Sequence, residues 1–340
     1  MRHRSALTGA RRGGAEALPW TGALLALTLL AAGCASLGAR PEAPPLAFAA
    51  PETDTLLARH APVALVERPD RTYNRIGTVR ARTTRSGTER LYVDPEESTL
   101  YVEARTFETQ RGTYTNLVYR MHFEKVPFRL VPFHLTTGRN GGLVVVITLD
   151  ALGAPVLVTT VHTCGCYLAF FPTSALPAAA LPDGWDLASQ RVHGIRLPGQ
   201  LDLPADLGAD ARVRITLATG THRVIDVVLG PPAEVERSSH SAPPSLLPLE
   251  ALERVPLDAV TTSFYREAGA RRGLVKGSFK PLELLLMSWW ALDLHVGVDK
   301  RYGERGEPGA LFYTSLRPWH RRASDMRDFP GFLRFWGWKL

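Results

Sequence analysis

Residues 143–149 form a nearly unbroken apolar run, Leu-Val-Val-Val-Ile-Thr-Leu, which constrains the fold more than any other segment. β-Branched side chains fit a pleated sheet, and the run has the length of an ordinary strand. A strand with one wet face alternates polar and apolar residues, and this run does not alternate. It therefore predicts a strand buried on both faces, with other layers of the protein packed on each side.

Strand-like patterns separated by turn residues continue on both sides of this run. Aromatic and β-branched residues predict further strands at residues 100–104, 113–119, 212–217 and 222–229. The turn sequences at 150–155 and 218–221 predict hairpins, and the return strand of the first hairpin is expected to run from Val156 to about Phe171. These patterns together predict a β-rich antiparallel domain over residues 53–232.

The region from residue 233 to 340 is predicted to be mainly helical and to pack against the β-rich domain, which gives an α+β fold. Pro281 suits the first position of a helix, and residues 282–296 are apolar almost all round. A helix with this pattern is typically buried. Glu283 and Asp293 lie on different faces of that helix, and we expect them to be solvated ends or capping partners.

The last segment, residues 316–340, mixes arginines with tryptophans and phenylalanines. Such a mixture is typical of a segment that lies on an anionic membrane surface. It also fits a segment whose aromatic residues dock on the β-rich domain while its arginines pair with acids. Pro330 and Gly331 interrupt any long amphipathic helix, which favours docking.

The N-terminal residues have the order of an export signal. A positive leader comes first, and its charges are Arg2, Arg4, Arg11 and Arg12. An uncharged apolar stretch follows from Trp20 to Ala32, which suits the core of a signal peptide and is too short for a comfortable membrane span. The stretch ends in Leu30-Ala31-Ala32-Gly33-Cys34.

This order resembles the signal peptide and lipobox of bacterial lipoproteins, although Leu30 lies one place further from the cysteine than usual. The resemblance covers only the leader. It implies that residues 1–33 are a signal peptide, that Cys34 is acylated, and that residues 34–52 are a Pro/Ala-rich tether. Two or three acyl chains, including one of the palmitate type, would anchor the chain without a transmembrane helix. Ala35 after the cysteine favours the outer membrane, facing the periplasm.

Composition and charge exclude some classes of protein. The formal charge is +7; four of the 40 basic residues and one of the 33 acidic residues lie in residues 1–33, which leaves +4 for the rest. A charge this small argues against a nucleic-acid partner. The apolar content of 45% is that of a globular protein. The sequence also lacks the phosphate-loop, dinucleotide, His-Glu-x-x-His and Gly-x-Ser-x-Gly motifs.

Residues 161–167, Val-His-Thr-Cys-Gly-Cys-Tyr, hold the densest cluster of soft ligands and nucleophiles in the chain. On one straight strand, alternation puts His162, Cys164 and Cys166 on the same face. Neighbours on that face lie about 6.6 Å apart, and His162 lies about 13 Å from Cys166, so a straight strand cannot bring all three to one metal ion. A metal site therefore requires a bend at Gly165, where glycine tolerates one.

Four interpretations of this cluster remain open. Cys164 and Cys166 form a strained disulfide, which an oxidising envelope favours. Alternatively, His162, Cys164 and Cys166 bind zinc or copper, with a fourth ligand such as His122 or Glu124. A third interpretation is catalysis by a thiolate with His162 as its base. The fourth is that the thiols and the imidazole simply fill a core.

The leading functional prediction is a non-catalytic cell-envelope lipoprotein that binds zinc or copper through His162, Cys164 and Cys166. A thiol-dependent enzyme or redox protein that uses the cysteine pair is the first alternative, so whether the chain is an enzyme stays open. A scaffold or assembly lipoprotein is the second. The predicted partners are the membrane, through the lipid anchor at Cys34, and another envelope protein.

Overall fold

Strands dominate the computed structural model, which describes residues 43–51, 53–232 and 242–340. The strands are β1 (Leu46–Phe48), β2 (Val63–Val66), β3 (Thr78–Thr83), β4 (Glu89–Asp94), β5 (Thr99–Thr109), β6 (Gly112–His122), β7 (Lys125–Val126), β8 (Gly138–Arg139), β9 (Gly142–Leu149), β10 (Pro155–His162), β11 (Ala169–Pro172), β12 (Ser189–Val192), β13 (Ile195–Pro198), β14 (Arg212–Leu217), β15 (Val224–Gly230), β16 (Ser245–Pro248), β17 (Val255–Leu257) and β18 (Val260–Thr262). The α-helices are α1 (Leu56–Arg59), α2 (Pro281–Ala291) and α3 (Phe329–Phe335). None of the helices in the described part of the chain has the length and apolar character needed to span a lipid bilayer.

A six-stranded sheet with the order β11-β10-β9-β6-β5-β16 forms the middle of the molecule. Its central strand β9 is the apolar run, and every residue of β9 is buried. Val145 and Ile147 pack into the core shared with a second sheet, whereas Val144 and Val146 pack into a core on the opposite face. The prediction of a strand covered on both faces is confirmed.

The second sheet has four strands in the order β1-β2-β14-β15, and it packs on one face of the six-stranded sheet. The predicted hairpin at 212–229 is present as the antiparallel pair β14–β15. Most neighbouring strands are antiparallel, as predicted, but β14 pairs with β2 and β16 pairs with β5 in parallel. The arrangement resembles a β-sandwich, because two sheets enclose one apolar core.

The prediction of a mainly helical C-terminal region, and with it the α+β fold, is wrong. Between residues 242 and 340 the chain forms the short strands β16, β17 and β18, many turns, three short 3-10 helices, and only two α-helices, α2 and α3. Glycines in left-handed conformation, such as Gly273 and Gly309, break the region into turns. The region instead covers the second face of the six-stranded sheet with single side chains, including Phe264, Phe312 and Phe332.

The C-terminal aromatic residues dock on the sheet, which confirms the second interpretation of residues 316–340 for part of that segment. Phe329, Phe332 and Trp338 are buried in the core beneath the six-stranded sheet. Arg327 pairs with Asp325 at 2.9 Å. Trp319 is different, because its side chain is exposed.

The helix predicted over residues 282–296 begins at Pro281 as expected but ends at Ala291. Leu292 takes a left-handed conformation with φ 50°, which stops the helix. The prediction that this helix is buried is wrong, because Leu285 and Trp289 are largely exposed. The expectation of a solvated Glu283 is also wrong, since Glu283 is one of the few buried residues of α2.

Candidate functional site: paired cysteines over a buried charge cluster

The cysteine pair lies in a tight turn and not on the continuous strand that the alternation pattern suggested. Strand β10 ends at His162, and β11 begins at Ala169 and runs antiparallel to β10. The Gly165 N–H donates to the carbonyl of His162 at 2.7 Å, and the His162 N–H donates to the carbonyl of Cys166 at 2.9 Å. The predicted return strand from Val156 to Phe171 is therefore interrupted by a reversal of the backbone.

Gly165 makes this reversal possible, as the metal hypothesis required. Its φ is +92°, a conformation that residues with side chains rarely adopt. A Cβ atom at this position would also collide with the carbonyl oxygen of Tyr313. Both the backbone angle and the close approach of the C-terminal region therefore restrict position 165 to glycine.

The reversal brings the two thiols close together. The two sulfurs lie close enough for each thiol to shift the pKa of the other strongly, and both cysteines are free of disulfide bonds. Cys164 is 2% exposed, whereas Cys166 is partly exposed. The pair thus has one sulfur inside the protein and one at its surface.

The imidazole of His162 has partners other than the two thiols. Its Nε2 lies 3.2 Å from the carbonyl oxygen of His222, and its ring contacts the ring of Tyr167 edge-on. Burial, followed by the nearby Lys280 ammonium group, lowers the pKa of His162 to about 3. The imidazole is therefore neutral at ordinary pH.

The two suggested fourth ligands also have other partners. Nε2 of His122 accepts a hydrogen bond from Nε of Arg120 at 2.8 Å. Glu124 pairs with Lys125 and borders a cavity that is separate from the one beside Cys166. Across the described ranges, no group of three or more His, Cys, Asp or Glu side chains is placed to hold a metal ion. The metal site at His162, Cys164 and Cys166 stays a prediction.

Four charged side chains that sequence reasoning did not select are buried beneath the cysteine turn: Lys280, Glu283, Asp299 and Lys300. Lys280 Nζ lies 3.3 Å from a carboxylate oxygen of Asp299 and 3.9 Å from one of Glu283. Lys300 Nζ donates to the carbonyl oxygen of Cys164 at 2.6 Å. The ammonium groups therefore border the cysteine turn on the side of the C-terminal region.

Asp299 fixes the geometry of this cluster. It accepts hydrogen bonds from the hydroxyls of Thr163 and Ser278, so it joins the cysteine turn to the segment before α2. Burial opposes its ionisation, but Lys280 and the two hydroxyls together lower the pKa of Asp299 below its ordinary value. Asp299 in turn is the main cause that raises the pKa of Lys280 well above its ordinary value against the effect of burial.

The two thiols have very different proton affinities. Interaction with the neighbouring Cys166 thiol, assisted by Lys280 and Lys300 against the effect of burial, lowers the pKa of Cys164 to about 6. Interaction with Cys164, together with burial, raises the pKa of Cys166 well above its ordinary value. The pair is therefore a thiolate and a thiol that share one proton at neutral pH.

Glu283 supplies a second group that titrates near neutrality. Burial raises the pKa of Glu283 to about 7, although the Lys280 ammonium group works against this rise. One oxygen of Glu283 is buried without a hydrogen-bond partner among the described residues. A carboxyl group in this state can hold or release a proton beside the cysteine pair.

Cys166 and Glu283 both line a cavity of about 750 Å³. Its wall is partly aromatic and apolar, with Tyr167, Phe170, Met287 and Trp336 among its residues. The Arg223 guanidinium group stacks 4.1 Å from the centre of the Tyr167 ring in the same cavity. A molecule in this cavity would meet the sulfur of Cys166, whereas Cys164 lies behind it.

No family model, curated protein or solved structure matches this chain. The chemical interpretation therefore depends on the site alone. Cys34, the predicted lipidation site, and residues 1–33 lie outside the described residues.

Proposed function

We propose that the chain is a thiol–disulfide redox protein of the cell envelope, whose Cys164–Cys166 disulfide is passed to a substrate dithiol. The observation that carries the proposal is a pair of free thiols close together in one turn, one buried beside two lysine ammonium groups and the other open to a cavity. The envelope location is part of the proposal and is supported by the export-type leader and Cys34. An oxidising compartment would also supply the disulfide form.

The first step is attack by a substrate thiolate on Sγ of Cys166. The bond between the sulfurs of Cys166 and Cys164 breaks, and Cys164 leaves as a thiolate. A thiol with a low pKa leaves a disulfide faster, and Lys280 and Lys300 stabilise the negative charge on the departing Cys164 sulfur. The substrate is now joined to Cys166 by a mixed disulfide.

The second step is attack by the other substrate thiolate on the substrate sulfur of the mixed disulfide. A substrate disulfide forms, and Cys166 is released as a thiolate that takes a proton. Glu283 lines the same cavity and holds a proton near neutral pH, so it is the nearby proton donor. The substrate loses two electrons and the cysteine pair gains them, so one round consumes one Cys164–Cys166 disulfide.

Two features make the disulfide form a good oxidant. A bridge between residues two apart needs a bent backbone and is strained, which favours its reduction. Stabilisation of the Cys164 thiolate also favours reduction of the disulfide, because it lowers the free energy of the reduced form. We expect a reduction potential above about −200 mV, closer to that of disulfide donors than to the −270 mV of thioredoxin.

The test is to oxidise the full-length protein and mix it with a reduced model peptide that contains two cysteines, under single-turnover conditions. We expect one peptide disulfide per chain. In a second arm, each variant is mixed with a disulfide of two one-cysteine peptides. Cys164→Ser should trap a mixed disulfide at Cys166, because the Cys166 thiolate displaces one peptide as a thiol and no second protein sulfur is present to release the other. Cys166→Ser, the matched control at the other sulfur, should trap almost none because Cys164 is buried.

Two results would overturn the proposal. One is a pair of thiols that no oxidant converts to a disulfide. The other is one zinc or copper ion per chain that protects both thiols from alkylation. The second result would support the metal site predicted at His162, Cys164 and Cys166 instead.

A further inference from the structure

Large apolar side chains stand exposed on two segments that border the Cys166 cavity. One segment is the loop between β7 and β8, where the exposed residues are Phe128, Leu130, Val131 and Phe133. The other is α2 with the turns that follow it, where they are Leu285, Leu286, Trp289, Trp290, Leu292 and Leu294. We call these ten residues, together with Trp319, the apolar rim. Val131 is 89% exposed and Trp289 is 73% exposed.

Both segments contribute residues to the wall of this cavity. Pro132 and Phe133 line the cavity from the loop, and Met287 lines it from α2. Leu316 lines the same cavity and lies close in sequence to Trp319. The segments that carry the apolar rim therefore all contribute residues to, or lie close in sequence to, the wall of the cavity that contains Cys166.

The rim is cationic as well as apolar. Residues 127–139, 284–292 and 314–324 contain no aspartate or glutamate. They contain five arginines: Arg129, Arg139, Arg317, Arg321 and Arg322. Asp293 lies two residues after the end of α2, but it is mostly buried and accepts a hydrogen bond from the Tyr313 hydroxyl.

We propose that the apolar rim docks on the surface of an anionic lipid bilayer. Soluble proteins rarely expose contiguous apolar patches of this kind without a partner for them. Tryptophan prefers the boundary between headgroups and acyl chains, and leucine, valine and phenylalanine prefer the chains below it. Exposed arginines such as Arg129, Arg317 and Arg322 are placed to meet anionic headgroups.

Docking in this manner turns the mouth of the cavity towards the headgroup layer. The predicted lipid anchor at Cys34 would keep the chain at the same surface, so the rim would need only weak affinity to stay engaged. The docking surface does not depend on the redox chemistry, because none of its residues belongs to the cysteine and lysine cluster.

The experiment uses the full-length chain with Trp20→Phe, so that no tryptophan of the leader contributes. The protein is mixed with vesicles of phosphatidylglycerol and phosphatidylcholine whose acyl chains carry bromine, a quencher of tryptophan fluorescence. We expect strong quenching that Trp289→Phe, Trp290→Phe and Trp319→Phe together remove for the most part. Trp185→Phe, at a residue inside the cavity, is the matched control and should leave the quenching unchanged.

Charge and apolar contact are separated by two further arms. Vesicles of phosphatidylcholine alone, or high salt, should weaken the quenching, because the arginines lose their anionic partners or are screened. Val131→Ser with Leu285→Ser should weaken vesicle binding about tenfold or more. Leu152→Ser with Val260→Ser, which changes exposed apolar residues outside the rim, should not.

Quenching that is absent, or that survives loss of the three rim tryptophans, would overturn the proposal. A dimer in sedimentation equilibrium that disappears with Val131→Ser and Leu285→Ser would also overturn it, because a second copy of the chain would then cover the rim. Either result leaves the single-turnover thiol assay unaffected, so the two proposals fail separately.

Discussion

The two most apolar runs of the described chain, residues 143–149 and 282–296, have opposite environments. The first is β9, which lies in the centre of the six-stranded sheet with both faces covered. The second contains α2, whose buried residues are Glu283 and Ala291, while Leu285 and Trp289 stand in solvent. Apolar composition therefore identifies surface that needs a cover, but it does not say whether the chain itself provides that cover.

The two runs should differ most in the free energy of unfolding that is lost when an aspartate replaces one of their apolar residues. Val146→Asp places an unpaired carboxylate in a fully buried strand, and we expect a loss of more than about 4 kcal/mol in the free energy of unfolding. Leu285→Asp places the same carboxylate in water and should change the free energy of unfolding by less than about 0.5 kcal/mol. Urea unfolding followed by circular dichroism measures both, and equal losses would contradict the contrast.

We next predict that buried charges hold α2 to the protein, although five of its 11 residues are exposed. Lys280 and Glu283 at its start belong to the buried cluster with Asp299. Asp299→Asn leaves the Lys280 ammonium group without its main partner, and we expect a loss of about 3–5 kcal/mol.

The control for Asp299→Asn is Asp183→Asn. Asp183 pairs with Lys339 at the surface, and its side chain is 93% exposed. An exposed ion pair contributes at most about 1 kcal/mol. Similar unfolding curves for the two variants would show that the buried cluster does not hold α2 in place.

The contrast also shows how far sequence patterns reach in this chain. The covered strand β9 and the hairpins around it were predictable, because their periodicity reflects pairs of neighbours that lie close in the sequence. The structure of the C-terminal region was not predictable, because the side chains that cover the sheet lie singly in turns and leave no periodic pattern in the sequence. A lone carboxylate inside an apolar run, as at Glu283, was the signal that could have indicated burial with a charged partner.

The site was only partly predictable for a similar reason. Cys164 and Cys166 come together as the bend at Gly165 required, and that bend could be anticipated from glycine alone. Alternation on a straight strand does not apply to His162, Cys164 and Cys166, because β10 ends at His162 and the backbone reverses after it. Lys280, Asp299 and Lys300 lie more than a hundred residues away in the sequence, so no local pattern could link them to the turn.

The third prediction uses the histidines buried in the covered part of the molecule. Burial lowers the pKa of His60 to about 4, of His162 to about 3 and of His222 to about 4. Each is neutral when folded but takes up a proton below about pH 6.5 when unfolded. Their contribution to stability is therefore complete above about pH 6.5 and is lost as the pH falls towards 4.

We expect the free energy of unfolding to fall by up to about 1.4 kcal/mol per pH unit for each of these histidines below pH 6.5. Glu283 works in the opposite direction, since its pKa is raised to about 7 in the fold. It is one group against these three histidines and two more, His122 and His193, whose pKa values burial also lowers. Urea unfolding at pH 7 and pH 5 measures the slope. His60→Gln should reduce that slope by the contribution of about one proton. An unchanged slope would contradict the lowered pKa of His60.

The smallest effect is expected where the exposed run ends. Leu292 holds a left-handed conformation with φ 50° at the end of α2, a position where glycine is common. Leu292→Gly removes that backbone strain and loses little packing because the side chain is exposed, so we expect a gain of up to about 1 kcal/mol. Leu294→Gly, also exposed but without a positive φ, should instead cost a few tenths of a kcal/mol through the entropy of the unfolded chain.

If both variants lose stability, the side chain of Leu292 makes contacts that matter more than its backbone strain. If only Leu292→Gly gains stability while its affinity for anionic vesicles falls, the leucine is kept at a strained position because the apolar rim needs it.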